Sequence, residues 1–147
     1  MKIDIVQQFG AVTRAVENRV HDGCPARVVV ASRTYDTTVE DLWDALTSRE
    51  RIPRWFLPIS SAVGVGWDLA LAGLANHTAT GESVKPSDGL AWLLSEDGRE
   101  FVRRASDDWG RASIVSGTDQ AAAHTAVART TAAYSPPSAP AATETAG

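Results

Sequence analysis

The chain of 147 residues is 44% apolar and 22% charged, the balance of a globular protein with length enough to bury a core as one domain. A formal charge of -4 and a pI near 5.3, with no basic run, argue against a nucleic-acid surface. A lone Cys24 excludes an internal disulfide and a thiolate metal cluster, and MKIDIVQQFGAVTRAVENRV has none of the regions of a signal peptide, so a reduced, cytoplasmic location is expected.

Between Ile3 and Val20 the apolar residues Ile5, Phe9, Val12, Val16 and Val20 recur at spacings of three and four. That period predicts an amphipathic helix, weakened at Gly10 by about 1 kcal/mol relative to alanine. Asp22-Gly23 is a turn signal, and Pro25 keeps the next residues extended. Val28, Val29, Val30, Thr34 and Tyr35 are β-formers, which predicts a strand from Arg27 to Tyr35 with Asn18 to His21 as the other arm of a hairpin. Thr37 and Glu40 have the spacing of a capping box, followed by a stripe of Val39, Leu42, Trp43 and Leu46 expected to be buried. Thr47 and Glu50 repeat the device at the head of a short helix through Arg54, curtailed by Pro53; Trp55 and Phe56 come next, and Pro58 ends the segment.

Trp67 to Thr78 is apolar on nearly every face, the pattern of a buried helix, with Gly81 as its C-cap and Ser83 to Ser87 as a linker. Its longest apolar run, Trp67 to Ala75, is too short to cross a bilayer, so no membrane partner is expected. Helices are predicted for Asp88 to Leu94 and for Asp97 to Val115, the second with a stripe of Phe101, Ala105, Trp109 and Ala112. Arg99, Arg103 and Arg104 lie among Glu96, Asp97, Glu100, Asp107 and Asp108, as on a solvated helix face laced with ion pairs. After Gly117-Thr118-Asp119, an alanine- and threonine-rich helix runs from Gln120 to Tyr134 with little to bury beyond Val127 and Tyr134. The closing SPPSAPAATETAG is expected to be disordered. Trp43, Trp55, Phe56, Trp67, Leu71 and Leu74 are expected to form the apolar centre.

Few residues have a pattern that carries chemistry. His21, His77 and His124 fall in different elements without ligand spacing, so no metal site is expected. Cys24 beside Asp22 and His21 could be an activated thiol, although a plain turn residue is the commoner case. Gly64-Val65-Gly66 at a helix start could hold a phosphate but more often only bends a chain. Asp68 and His77 are polar groups on the apolar helix, and nine helical steps make about 2.5 turns, placing them on opposite sides. With no acid and base able to meet, neither catalytic residues nor a cofactor are expected.

Two blocks carry a resemblance. RVVVASRTYDTTVEDLWDALTSRERIPRWFLPIS, from Arg27 to Ser60, resembles the opening of START-like or helix-grip proteins of the SRPBCC superfamily, in the branch of activator of Hsp90 ATPase homologues. AVGVGWDLALAGLANHTATG, from Ala62 to Gly81, resembles the long helix that closes such a domain. The family keeps these blocks far apart, separated by a β-meander; here they nearly touch. The resemblance therefore implies an α+β, incomplete helix-grip domain: a truncated core over 1–82, a helical extension over 83–134 and a tail over 135–147. It implies a non-enzymatic module that binds an apolar small molecule or a protein surface, compromised by an internal deletion, with Trp55, Phe56, Trp67, Leu71 and Leu74 bordering the ligand. Two alternatives stand beside it. One is an incomplete domain completed by a homo-oligomer or another protein, and the other a cyclase- or hydrolase-like enzyme of the same superfamily.

Overall fold

The computed structural model describes residues 10–56 and 64–134. The expectations for residues 3–9, for Pro58 and the junction at 59–62, and for the tail from Ser135 lie outside the described residues. In chain order the elements are β1 (Val12–His21), β2 (Cys24–Arg33), α1 (Val39–Thr47), α2 (Ile52–Trp55), α3 (Val65–Thr80), α4 (Pro86–Leu93), α5 (Glu96–Val115) and α6 (Gln120–Tyr134). The fold is α+β and helix-dominated, and its sheet among the described residues is a single antiparallel hairpin.

The hairpin corrects the first expectation. From Val12 onward the chain is strand rather than helix, and the register runs from Val12 opposite Arg33 to His21 opposite Cys24. Asp22 (φ 50°) and Gly23 (φ 78°) both take positive φ, as a two-residue hairpin turn matching the strand twist demands. Opposed residues share a face and successive residues alternate between faces. Arg14, Val16 and Asn18 therefore lie on one face with Ala31, Val29 and Arg27. That face meets α5: Asn18 Nδ2 donates to the Ser116 carbonyl (3.2 Å), and Arg27 donates to Ser116 Oγ (2.7 Å) and Thr118 Oγ1 (2.9 Å). The predicted strand ends at Arg33 instead of Tyr35, because beyond it β2 has no partner residue.

The helices form largely where the pattern placed them, with different caps. The N-cap of α1 is Thr38, which accepts from the Asp41 N–H (3.1 Å), while the Thr37 hydroxyl donates to the Asp41 carboxylate (2.9 Å). The second capping box does not form: Thr47 Oγ1 donates back to the Trp43 carbonyl (2.7 Å), and α2 starts at Ile52 without a side-chain cap. Helix α5 begins at Ser95, whose hydroxyl accepts from the Gly98 N–H (3.2 Å) with Glu96 and Asp97 in the first turn. Gly81 is the C-cap of α3, as expected.

Helix α3 is the axle of the molecule. One side supplies Val65 and Ala72 to a core with Phe101, Val102 and Ala105 of α5, against which Leu69, Trp92, Leu93, Trp109 and Tyr134 pack. The other side supplies Ala70 and Leu74 to a smaller core with Ala45 and Trp55, flanked by Tyr35, Leu42 and Ile52. Gly73 makes the second contact possible, since a Cβ there would stand 2.5 Å from the Trp55 carbonyl oxygen. The expected centre divides accordingly. Trp55 and Leu74 are buried and Leu71 is half-buried, but Trp43 is 68% exposed and Phe56 and Trp67 also reach solvent. The face of α1 turned inward is that of Ala45 and Leu42, leaving Val39, Trp43 and Leu46 outside.

Candidate functional site

The five candidate ligand residues fall into two groups. Trp55, Phe56 and Trp67 form a row of rings, with centroids 5.5 Å apart at an interplanar angle of 83° and then 6.4 Å apart at 54°. The row begins inside, where Trp55 Nε1 donates to the Ala45 carbonyl (2.9 Å), and ends at Phe56 (36% exposed) and Trp67 (53% exposed). Leu74 lies beneath it in the smaller core with Trp55. Leu71 is half-buried, and its carbonyl accepts from the Tyr35 hydroxyl (3.3 Å). Burial pushes that phenol up to about 12, against the pull of the Arg33 guanidinium stacked on its ring.

Asp68 and His77 are both buried, on opposite sides of α3 as the helical arithmetic requires, and each already has partners. Arg14 Nε donates to both Asp68 oxygens (3.2 and 3.1 Å), Trp109 Nε1 donates to one of them (2.9 Å), and Arg14 Nη1 donates to Asp108 (2.9 Å). Burial pushes the Asp68 carboxyl up, and the Arg14 guanidinium and the Trp109 indole oppose that shift. The Trp109 ring also covers the head of α3, where Gly64 (φ 102°) would carry a Cβ 3.1 Å from it, so the space beside Gly64 is filled by an indole. On the far side, His77 Nε2 accepts from Arg51 Nε (3.3 Å), and His77 Nδ1 faces the Glu82 carbonyl (3.0 Å). Arg51 also donates to Asp41 and Asp44 (2.8 Å each), and this contact, with that of Thr37, holds the Asp41 carboxyl below its ordinary range.

Arg14 lies in the segment where the spacing of Val12, Val16 and Val20 predicts a helix, and a helix would not bring it to Asp68. The signal that could have found it was Asp68, a lone acid in an otherwise apolar helix, which needs a buried cation. His21 and Cys24 face each other across the hairpin turn, both exposed. Among the described residues no cluster of three His, Cys, Asp or Glu could hold a metal ion, and no helix is long and apolar enough to cross a membrane.

A separate groove of about 350 Å³ lies between β1 and α5, lined by Val12, Arg14, Ala15 and Val16 on one side and Asp108, Arg111, Ala112 and Val115 on the other. No family model matches the chain, and no curated protein or solved structure matches it either.

Proposed function

We propose that the chain is a non-enzymatic module of the START-like, activator-of-Hsp90-ATPase-related kind, without the family's central strands. In this reading it binds an apolar small molecule or an apolar protein surface along Trp55, Phe56 and Trp67. The observation that supports it is the ring row itself, continuous from the smaller core to solvent. Exposed aromatic faces next to a rigid anchor are what apolar recognition uses. The polar groups weigh against acid–base work: Asp68 and His77 point apart, and each is held by its own arginine. Titration with a lipophilic fluorophore, followed by quenching of tryptophan emission, tests the reading. Saturable one-to-one binding is expected, weakened about tenfold by Trp67→Ala or Phe56→Ala with the helical signal unchanged. Enhancement that never saturates, or binding indifferent to both variants, overturns it.

A second reading has its own support: the domain is completed by another copy of the chain. Among the described residues neither strand of the hairpin has a neighbour beyond the other, and Val20, Val39 and Trp43 stand outside. Open edges and outward apolar side chains favour pairing with a further chain. Sedimentation equilibrium should then show a dimer, and a strict monomer sinks this reading.

A further inference from the structure

We propose that two copies of this chain join along the outer edge of β1, antiparallel about a two-fold axis at Asn18, so that each hairpin tip fills the other copy's groove beside α5. The proposal rests on the self-completion reading and supplies its geometry. Three observations carry it.

The first is the position of the groove. On β1 it is lined by Val12, Arg14 and Val16, which share the face that meets α5, and by Ala15, which points to the other face. The hollow therefore lies between that face and α5 and reaches the edge of β1 at Ala15. Among the described residues that edge has no strand beside it, so its N–H and C=O groups are open to a further strand.

The second is charge. Pairing about Asn18 sets Glu17 opposite Arg19 of the second copy, and symmetry repeats the contact. A register about Glu17 or about Arg19 would place a charge against itself. One about Val16 leaves Glu17 opposite Ala15 and Arg19 opposite Thr13, with no charge matched. Within the strand, Arg19 Nε already donates to Glu17 (2.8 Å), but both side chains are exposed, where such a pair contributes little alone. Opposite charges directly across a strand pair stabilise it, and like charges oppose it.

The third is apolar fit. The same register sets Val20 of the second copy opposite Val16, on the face that meets α5. Val20 is 74% exposed and Val115, on the far wall of the groove, 89% exposed. Each would cover the other. His21, the last strand residue of the second copy, falls opposite Ala15, which brings the turn at Asp22 to the end of the groove where Arg111 stands, itself paired with Asp108.

Sedimentation equilibrium and light scattering on the full chain test this by charge exchange. The wild type should dimerise. Glu17→Arg and Arg19→Glu should each weaken the dimer roughly tenfold, because two attractive contacts become repulsive. The double variant should regain wild-type affinity, and so should an equimolar mixture of the two single variants; rescue in the mixture is the result that a pair within one strand does not produce, since neither variant chain carries opposite charges at 17 and 19. Val20→Lys, which forces a charge into the groove, should give monomers with an unchanged circular dichroism spectrum. A monomeric wild type overturns both this pairing and self-completion. A dimer indifferent to all these changes overturns the pairing and leaves self-completion standing.

Discussion

Asp68 and Arg14 show how one buried charge dictates the chemistry around it. The Asp68 side chain has no exposure and that of Arg14 only 5%, so neither retains water to replace the other. Removing one partner of a buried pair costs about 3–5 kcal/mol where the other charge is left alone. Arg14 keeps Asp108 when Asp68 is lost, so Asp68→Ala is expected to destabilise by less than that in urea denaturation, and Asp68→Asn by less again, since an amide oxygen still accepts from Trp109. Tyr35 makes a second prediction at this scale. Its phenol is raised to about 12 in the folded chain against about 10 in an unfolded one. The folded state therefore holds the proton more tightly, and the stabilisation is complete below pH ~10 and lost as pH rises toward ~12. Urea midpoints should fall across that window, and Tyr35→Phe should flatten the fall. An alkaline midpoint that drops equally in Tyr35→Phe would assign the loss to other groups.

At the scale of the element, α5 is the part most plainly written in the residues. Arg103 and Arg104 hold the Glu100 carboxylate at about 2, through hydrogen bonds at 2.8 and 2.6 Å. A depressed carboxyl contributes stability that is present above its unfolded value and lost as pH falls through the folded one. Carboxyl NMR shifts should accordingly show Glu100 still ionised at pH 3, and high salt should bring its titration back toward the ordinary range. The spacing of Glu100 with Arg103 and Arg104 announced these pairs before any fold was known, because helical neighbours three and four apart must meet. The β1 segment was not legible in that way, for a geometric reason. Val12, Val16 and Val20 are four apart, and a step of four suits a helix and a strand alike, being close to one helical turn and also an even number. The turn at Asp22-Gly23 was the arbiter, since a two-residue turn makes the chain on both sides extended. Helix α1 was legible in its limits but not in its facing. Apolar content alone favoured Trp43 and Leu46, whereas the residues that meet Trp55 and Leu74 are Ala45 and Leu42. The row of Trp55, Phe56 and Trp67 was foreseeable as a cluster of ring residues; that it runs outward was set by the same neighbours.

Across the whole molecule, everything turns on α3 being shared by two cores. Ala70 and Leu74 face α1 and α2, while Val65 and Ala72 face α5, so neither core can melt without uncovering a side of the same helix. Cooperativity then arises from geometry rather than from the size of either core: fraying the smaller core exposes Leu74 and frees the Trp55 indole from the Ala45 carbonyl, and it also uncovers the Ala70 side of α3. Leu74→Ala is a clean probe, because Leu74 is among the largest fully buried side chains and lies wholly in the smaller core. A loss of about 2–5 kcal/mol is expected for such a truncation, and with each kcal/mol worth about 2–4 °C in a chain of this size the midpoint should fall by roughly 4–20 °C. The decisive feature is the shape of the melt. Val102→Ala, in the larger core, should lower the same single transition, and tryptophan emission and circular dichroism should coincide in both variants. If Leu74→Ala instead separates an early fluorescence change from a later loss of helix, the hairpin, α3 and α5 form the stable body, and α1 with α2, which carries Trp55 and Phe56, parts from it first.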